Sequence, residues 1–160
     1  MNTITPFIPE NFSPPEQLKT EDFIIRKLLT KDVYLDYMAV MSSIDIIHKT
    51  RGGTWPTLDL SFEDDFIDLA WHQREFEHGS SFAYTVVNHE ETECLGCLYF
   101  YPAGFRKEAH ADADVDVSFW VTQKAYDEGL YPKLYKTIQK WLEQDWPFKK
   151  PEWTNSNLPQ

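Results

Sequence analysis

The chain has 160 residues, 42% of them hydrophobic and 16% aromatic, which suits one packed domain of ordinary size and excludes disorder throughout. Fifteen Lys and Arg against 26 Asp and Glu give a formal charge of −11, and with no locally basic face nucleic acid is not expected as a partner. The longest uncharged apolar stretch, residues 94–105, falls far short of the ~20 residues of a spanning helix, and residues 1–11 lack the plan of a signal peptide, so no membrane association is expected.

Pro6, Pro9, Pro14 and Pro15 make residues 1–20 an extended proline-rich arm ahead of a single domain over residues 21–160. Phe7, Ile8, Phe12 and Leu18 are expected to dock on that domain or on a second subunit, which makes a homodimer a candidate assembly. The β-branched, apolar residues 23–29 predict a strand. Thr30 as N-cap, Asp32 in the first turn, and Val33, Tyr34, Tyr37, Met38 and Met41 at helical spacing predict a helix over 31–43. Residues 48–59 break the pattern, and Arg51-Gly52-Gly53-Thr54-Trp55-Pro56 is loop chemistry. Ser61 and Asp64 form a capping signature ahead of Phe62, Phe66, Leu69, Ala70 and Phe76, and Gly79 is placed to end this strongly acidic second helix.

Residues 82–87 and 94–101 predict two strands joined by a polar turn. A third covers 112–121, where alternation puts Val115, Val117 and Phe119 on one face and Asp114, Asp116 and Ser118 on the other. A helix over 132–145 follows, with Pro132 suited to its first position and Leu134, Tyr135, Ile138, Trp141 and Leu142 on its buried face. One short strand is expected near 152–154.

Several motifs invite chemistry. A zinc site needs four ligands, and Cys94-x-x-Cys97 has no second Cys pair. On a regular strand residues three apart face opposite ways, so the two sulfurs meet at one ion only across a bulge. They read as small buried residues with free thiols, in keeping with a reducing cytoplasm, and no metal is expected. Asp112, Asp114 and Asp116 begin like a calcium loop, but Val117 and Gln123 stand where its Gly and bidentate Glu belong. This carboxylate row either faces solvent or lines a cleft that attracts a cation, where one member would have a raised pKa and act as general base. His72 and His78 read as surface or capping residues. Trp71, Trp120 and Trp141 are expected in the core, and Trp55 as a ligand wall.

The order strand, helix, helix, three strands, helix and short strand is carried by residues 23–28, by 95–102, by Val115-Asp116-Val117-Ser118-Phe119-Trp120-Val121, and by 129–135 running into Trp141-Leu142. Over residues 21–150 it resembles the GNAT family of acyl-CoA-dependent N-acetyltransferases. The resemblance implies an α+β fold, a mixed, mostly antiparallel central sheet with helices on both faces. It implies acetyl-CoA as cosubstrate, its pantetheine arm on the main chain of Phe119, Trp120 and Val121. Its pyrophosphate would sit on the turn at Gly129, with Lys124 and Lys133 supplying positive charge. In that turn Gly129 agrees with the family, while Tyr126 stands for the usual Gln or Arg and Tyr131 for a small residue. The implied activity is transfer of the acyl group to a small-molecule or peptide amine, lying against Arg51 and Trp55 in a cleft between the 51–56 loop and the acidic second helix, whose charge favours cationic amines. Asp116, and next Asp114, would take the ammonium proton. The departures in the turn favour an alternative, a GNAT-like scaffold that no longer uses CoA and binds a small ligand or a protein.

Overall fold

A six-stranded sheet carries every other element of the molecule, and the computed structural model describes residues 6–160, so the first five residues of the arm lie outside the described residues. The strands are β1 (Gln17–Lys19), β2 (Ile24–Lys27), β3 (Phe82–Val87), β4 (Cys94–Tyr101), β5 (Val115–Val121) and β6 (Pro151–Trp153), and they lie side by side in that order. β1 to β5 pair antiparallel, and β6 joins β5 in parallel. The sheet is therefore mixed and mostly antiparallel, as the resemblance implies.

Alternation along the strands divides the core into two layers. Ile25, Leu98, Phe100, Val117 and Phe119 pack against Leu134, Ile138 and Trp141 of α5 (Leu130–Asp145). On the opposite face Leu28, Ala83, Cys97, Tyr99 and Trp120 meet Val40 of α1 (Val33–Met41), Ile47 of α2 (Ile44–Thr50) and Leu69 of α3 (Phe62–His78). The arm belongs to the same body. Its residues 17–19 form β1, Phe7 stacks on Phe82 with ring centroids 5.7 Å apart, and Phe12 meets Trp146 at 5.5 Å.

The structure corrects several expectations. The helix predicted over 31–43 is a 3-10 turn (Thr30–Asp32) followed by α1, and α2 occupies the next stretch, part of it expected to be loop. α2 has only seven residues, too few for a helical period to stand out. α3 is capped as predicted: the Ser61 hydroxyl accepts from the Asp64 N–H at 3.0 Å, the Asp64 carboxylate accepts from the Ser61 N–H at 3.1 Å, and Gly79 adopts φ 73°. Its inward stripe is Asp65, Leu69, His72 and Phe76, at helical spacing. Phe62 and Phe66 lie beside that stripe and Trp71 is 56% exposed instead of buried in the core. A short helix, α4 (Gln123–Asp127), capped by the Thr122 hydroxyl, precedes α5 unannounced. α5 begins at Leu130, so Pro132 is its third residue. The misplacement costs nothing, because first-turn N–H groups have no intrahelical acceptor. Among the described residues no helix is long and apolar enough to cross a membrane.

Two glycines separate space from backbone conformation. A Cβ on Gly96 would lie 2.2 Å from the carbonyl oxygen of Trp120 and 3.0 Å from Cα of Val121, both main-chain atoms that cannot yield. Gly129 has φ 87° but open space around its missing Cβ. Gly96→Ala is therefore expected to cost more than about 3 kcal/mol, from overpacking against backbone, and Gly129→Ala only about 1 kcal/mol. In thermal unfolding the first should lower Tm by roughly 6–12 °C and the second by 2–4 °C; equal shifts would contradict the close approach of β4 and β5.

Candidate functional site

A cavity of about 200 Å³ opens between α1, α3 and the end of α2, over the face of β4. Tyr99 and Tyr101 form its floor; Asp36, Asp65, Asp68 and His72 stand on one side and Arg51 and Trp55 on the other. Arg51 is fixed by three contacts. Its guanidinium lies 4.2 Å from the Tyr99 ring centroid and 5.8 Å from that of Trp55, and its Nε donates to Ser118 Oγ of β5 at 3.2 Å. Tyr99 is itself held by the Trp120 indole, which donates to its hydroxyl at 2.9 Å.

The electrostatics of the cavity are lopsided. Three carboxyls face one guanidinium. Burial holds Asp68 above the ordinary carboxylate range, reinforced by Asp65 and Asp64. Burial likewise raises Asp65, and Asp36 most strongly. Burial, then the charge of Arg51, lowers the His72 pKa from 6.5 to about 4 against an opposing pull from Glu75, so the ring is neutral near pH 7. A concave, partly desolvated site with surplus carboxylate and aromatic walls is suited to a cationic amine.

A second feature adjoins the first. β6 pairs with β5 only from Val115 to Val117. Beyond that point the chain turns away and Asn155 fills the gap: its Oδ1 accepts from the Phe119 N–H at 3.0 Å, and its Nδ2 donates to the Phe119 carbonyl at 2.9 Å and to the Tyr131 hydroxyl at 2.8 Å. The tail then straps onto the end of α2, with the Ser156 N–H donating to the Arg51 carbonyl at 3.2 Å and the Asn157 N–H to the Thr50 carbonyl at 3.0 Å. The Tyr131 hydroxyl donates to the Asn157 carbonyl, and its ring stacks on Phe119 at 4.9 Å. Arg51 thus serves both features, its side chain in the cavity and its carbonyl under the tail.

Of the residues singled out from the sequence, Arg51 and Trp55 line the cavity and Phe119 faces the tail. The Trp120 carbonyl points at Gly96, and Val121 pairs with Gly96 of β4. Lys124 pairs with Glu93 at 3.2 Å and Lys133 with Asp22 at 3.8 Å, both on the surface beside α4 and α5. Asp116 and Asp114 lie outside the cavity. Asp116 is 1% exposed and accepts from the Arg106 N–H at 2.9 Å and the Thr154 hydroxyl at 2.7 Å; Asp114 accepts from the N–H groups of Lys149 and Lys150. His72, expected on the surface or as a cap, lies with its ring tilted 38° to that of Tyr99, centroids 5.5 Å apart. Asp65 and Asp68 were read as part of the acidic second helix that lines the amine cleft, without being singled out; Asp36 and Asn155 were missed. The i, i+4, i+7 spacing of Asp65, Leu69 and His72 carried a readable signal; nothing local marks Asn155.

No family model and no curated protein sequence matches the chain. Solved structures do. The ribosomal-protein-S5-alanine acetyltransferase of Vibrio fischeri is 13% identical with a TM-score of 0.60, over 79% of this chain and 66% of its own. The ribosomal L7/L12 α-N-protein acetyltransferase RimL in complex with coenzyme A is 14% identical with a TM-score of 0.60, over 82% and 71%. Mycobacterium smegmatis RimJ in complex with CoA-disulfide is 10% identical with a TM-score of 0.64, over 82% and 61%. The chain thus spans about two thirds of the length of these proteins, and its fold is that of the GNAT acetyltransferases.

The depressed His72 pKa makes stability depend on pH. Above pH 6.5 the ring is neutral in both folded and unfolded chains. Between pH 6.5 and about 4 only the unfolded chain takes up the proton, so stability falls as pH drops through that window. At pH 4.5 the loss should reach about 2.5 kcal/mol. Denaturant unfolding of wild type and His72→Asn across this range checks it; identical slopes would contradict a buried neutral ring.

Proposed function

We propose that this chain is an acyl-CoA-dependent N-acyltransferase acting on a cationic small-molecule or peptide amine, with its donor groove closed by its own tail. The observation that carries this reading is the main chain of Phe119, whose N–H and carbonyl are turned out of the sheet to hold a carboxamide. The pantetheine arm of CoA presents amides of the same kind. At the far end of the groove the 16-residue helix α5 starts from Gly129, which is free of close neighbours. The positive end of a helix of that length suits a phosphate, with Lys124 and Lys133 nearby. The residues present fit the group once Asn155 withdraws.

Bound there, acyl-CoA supplies an activated acyl carbonyl. The chain's own residues do the rest. Asp68 attracts the ammonium, and Tyr99 and Trp55 wall its alkyl part. Arg51, pinned to Ser118 next to Phe119, orients a polar group of the substrate. Asp68 is half-buried at the cavity wall, and its raised pKa brings it nearer the working pH of a base. It takes the ammonium proton on a carboxylate oxygen. Asp114 and Asp116 instead hold the segment entering β6 and the tail through the contacts described above. The two buried, free thiols suit a reducing compartment such as the cytoplasm.

The strap itself favours a second reading, a scaffold that has replaced CoA with its own Asn155 and binds another ligand in the acidic cavity. Calorimetric titration with CoA separates the two. Asn155→Gly removes three hydrogen bonds of about 0.5–1.5 kcal/mol each and should tighten CoA binding at least tenfold, while Gly129→Trp should abolish it. If neither wild type nor Asn155→Gly takes up CoA at millimolar concentration, the scaffold reading stands. With turnover established, kcat/KM should fall as pH drops through the raised Asp68 pKa. Asp68→Asn should lower kcat roughly 10²–10⁴-fold and erase that acid limb; a retained limb would remove Asp68 from the reaction.

A further inference from the structure

We propose that Cys94, Cys97 and Asp36, with Asp65 as fourth donor, form a binding site for a thiophilic divalent cation of the Zn²⁺ class. The site is created by an irregularity of the sheet. β3 and β4 run in regular register from Phe82 opposite Phe100 to Val86 opposite Gly96, but Val87 stands opposite Cys94. Leu95 is the extra residue of a β-bulge. It points into the layer beneath α5, while Cys94 and Cys97 both join the layer beneath α1 and α3. The geometric obstacle to shared ligation by a C-x-x-C pair on a strand is thereby removed.

The two Sγ atoms and one Asp36 carboxylate oxygen all lie within 4.8 Å of one another, and Cys97 Sγ donates to Asp36 Oδ1 at 3.4 Å. Sulfurs on a tetrahedral zinc stand about 3.7 Å apart, given Zn–S bonds of about 2.3 Å. The three atoms therefore close on an ion with small side-chain adjustments. Asp65 is the independent sign. It is 1% exposed, no donor from another of the described residues reaches either carboxylate oxygen, and it lies against the Asp36 carboxyl, with which it shares a hydrogen bond only while one of the two holds a proton. Two apposed, desolvated carboxyls cannot both ionise unless a cation joins them, and an ion shared with two thiols meets that condition. Binding would displace to solvent the two thiol protons and the proton held by the Asp36 carboxyl, so uptake releases protons.

The ligands come from α1, α3 and β4, so the ion would tie both helices to the sheet. Around them, the Thr85 hydroxyl lies 3.5 Å from Cys94 Sγ, and Cys94 Sγ donates to the Gly96 carbonyl at 3.4 Å. Asp36 and Asp65 also line the 200 Å³ cavity, which provides the route of entry. Two thiolates select zinc-like ions over Mg²⁺ and Ca²⁺. The site is independent of the acyltransferase reading and would serve either function.

The test is titration of the full reduced chain with Co²⁺ as a spectroscopic substitute for Zn²⁺. One equivalent should produce a thiolate-to-cobalt charge-transfer band, displaced by Zn²⁺ and insensitive to excess Mg²⁺. X-ray absorption of the zinc form should show two sulfur neighbours. Cys97→Ser, nearly isosteric, should weaken binding at least a hundredfold, and Asp65→Asn roughly tenfold. Absence of the band in the wild-type chain under reductant overturns the proposal. So does a band that survives in the Cys94→Ser/Cys97→Ser double variant, or an absorption spectrum without sulfur. Because the wild-type spectrum decides by itself, a variant that fails to fold does not rescue the claim.

Discussion

The molecule turns on the edge of β5 where its last strand pairing stops. A buried main-chain N–H or carbonyl must find a partner, and β6 provides them only as far as Val117. Phe119 is left with both groups facing a gap. Any solution must bring a donor and an acceptor side by side, which is the signature of an amide. Asn155 is that amide in the closed chain, and the same pair of groups is what a pantetheine arm would use. The groove and its plug are two answers to one hydrogen-bonding requirement.

The second constraint is charge. α3 carries its acids all around, but only Asp65 and Asp68 turn toward the sheet, where they meet Asp36 of α1. Removing carboxyls from water is unfavourable unless a proton or a cation accompanies them. Arg51 stands across the cavity, and it is committed to Tyr99 and Ser118. The surplus of acid explains both proposals: a cationic amine at the open side, beside Asp68, and a metal ion at the closed side, where the thiols lie.

Arg51 links these regions to the strap. Its side chain defines the cavity wall while its carbonyl receives the tail. Movement of residues 155–157 away from β5 would free the end of α2 along with the groove. In the proposed enzyme, donor groove and amine cavity would share this one residue.

Much of the architecture was legible locally. The capping box of Ser61 and Asp64, the left-handed stop at Gly79 and the alternation along residues 115–121 report backbone chemistry within a few residues, and they survive folding unchanged. α2 and α4 escaped because five to seven residues contain too little periodicity. The shared face of the thiols escaped because a bulge is a property of two strands in register, and only Val87 opposite Cys94 reveals it. The full lining of the cavity escaped because Asp36 and Tyr99 meet Arg51 and Asp65 across long stretches of chain. By itself the sequence determined most of the elements and their order, since these follow from short-range patterns of polarity and turn chemistry. Only the tertiary structure decided which carboxyls share a cavity, which sulfurs share a face and which asparagine closes the groove, because each depends on distances that no residue spacing encodes.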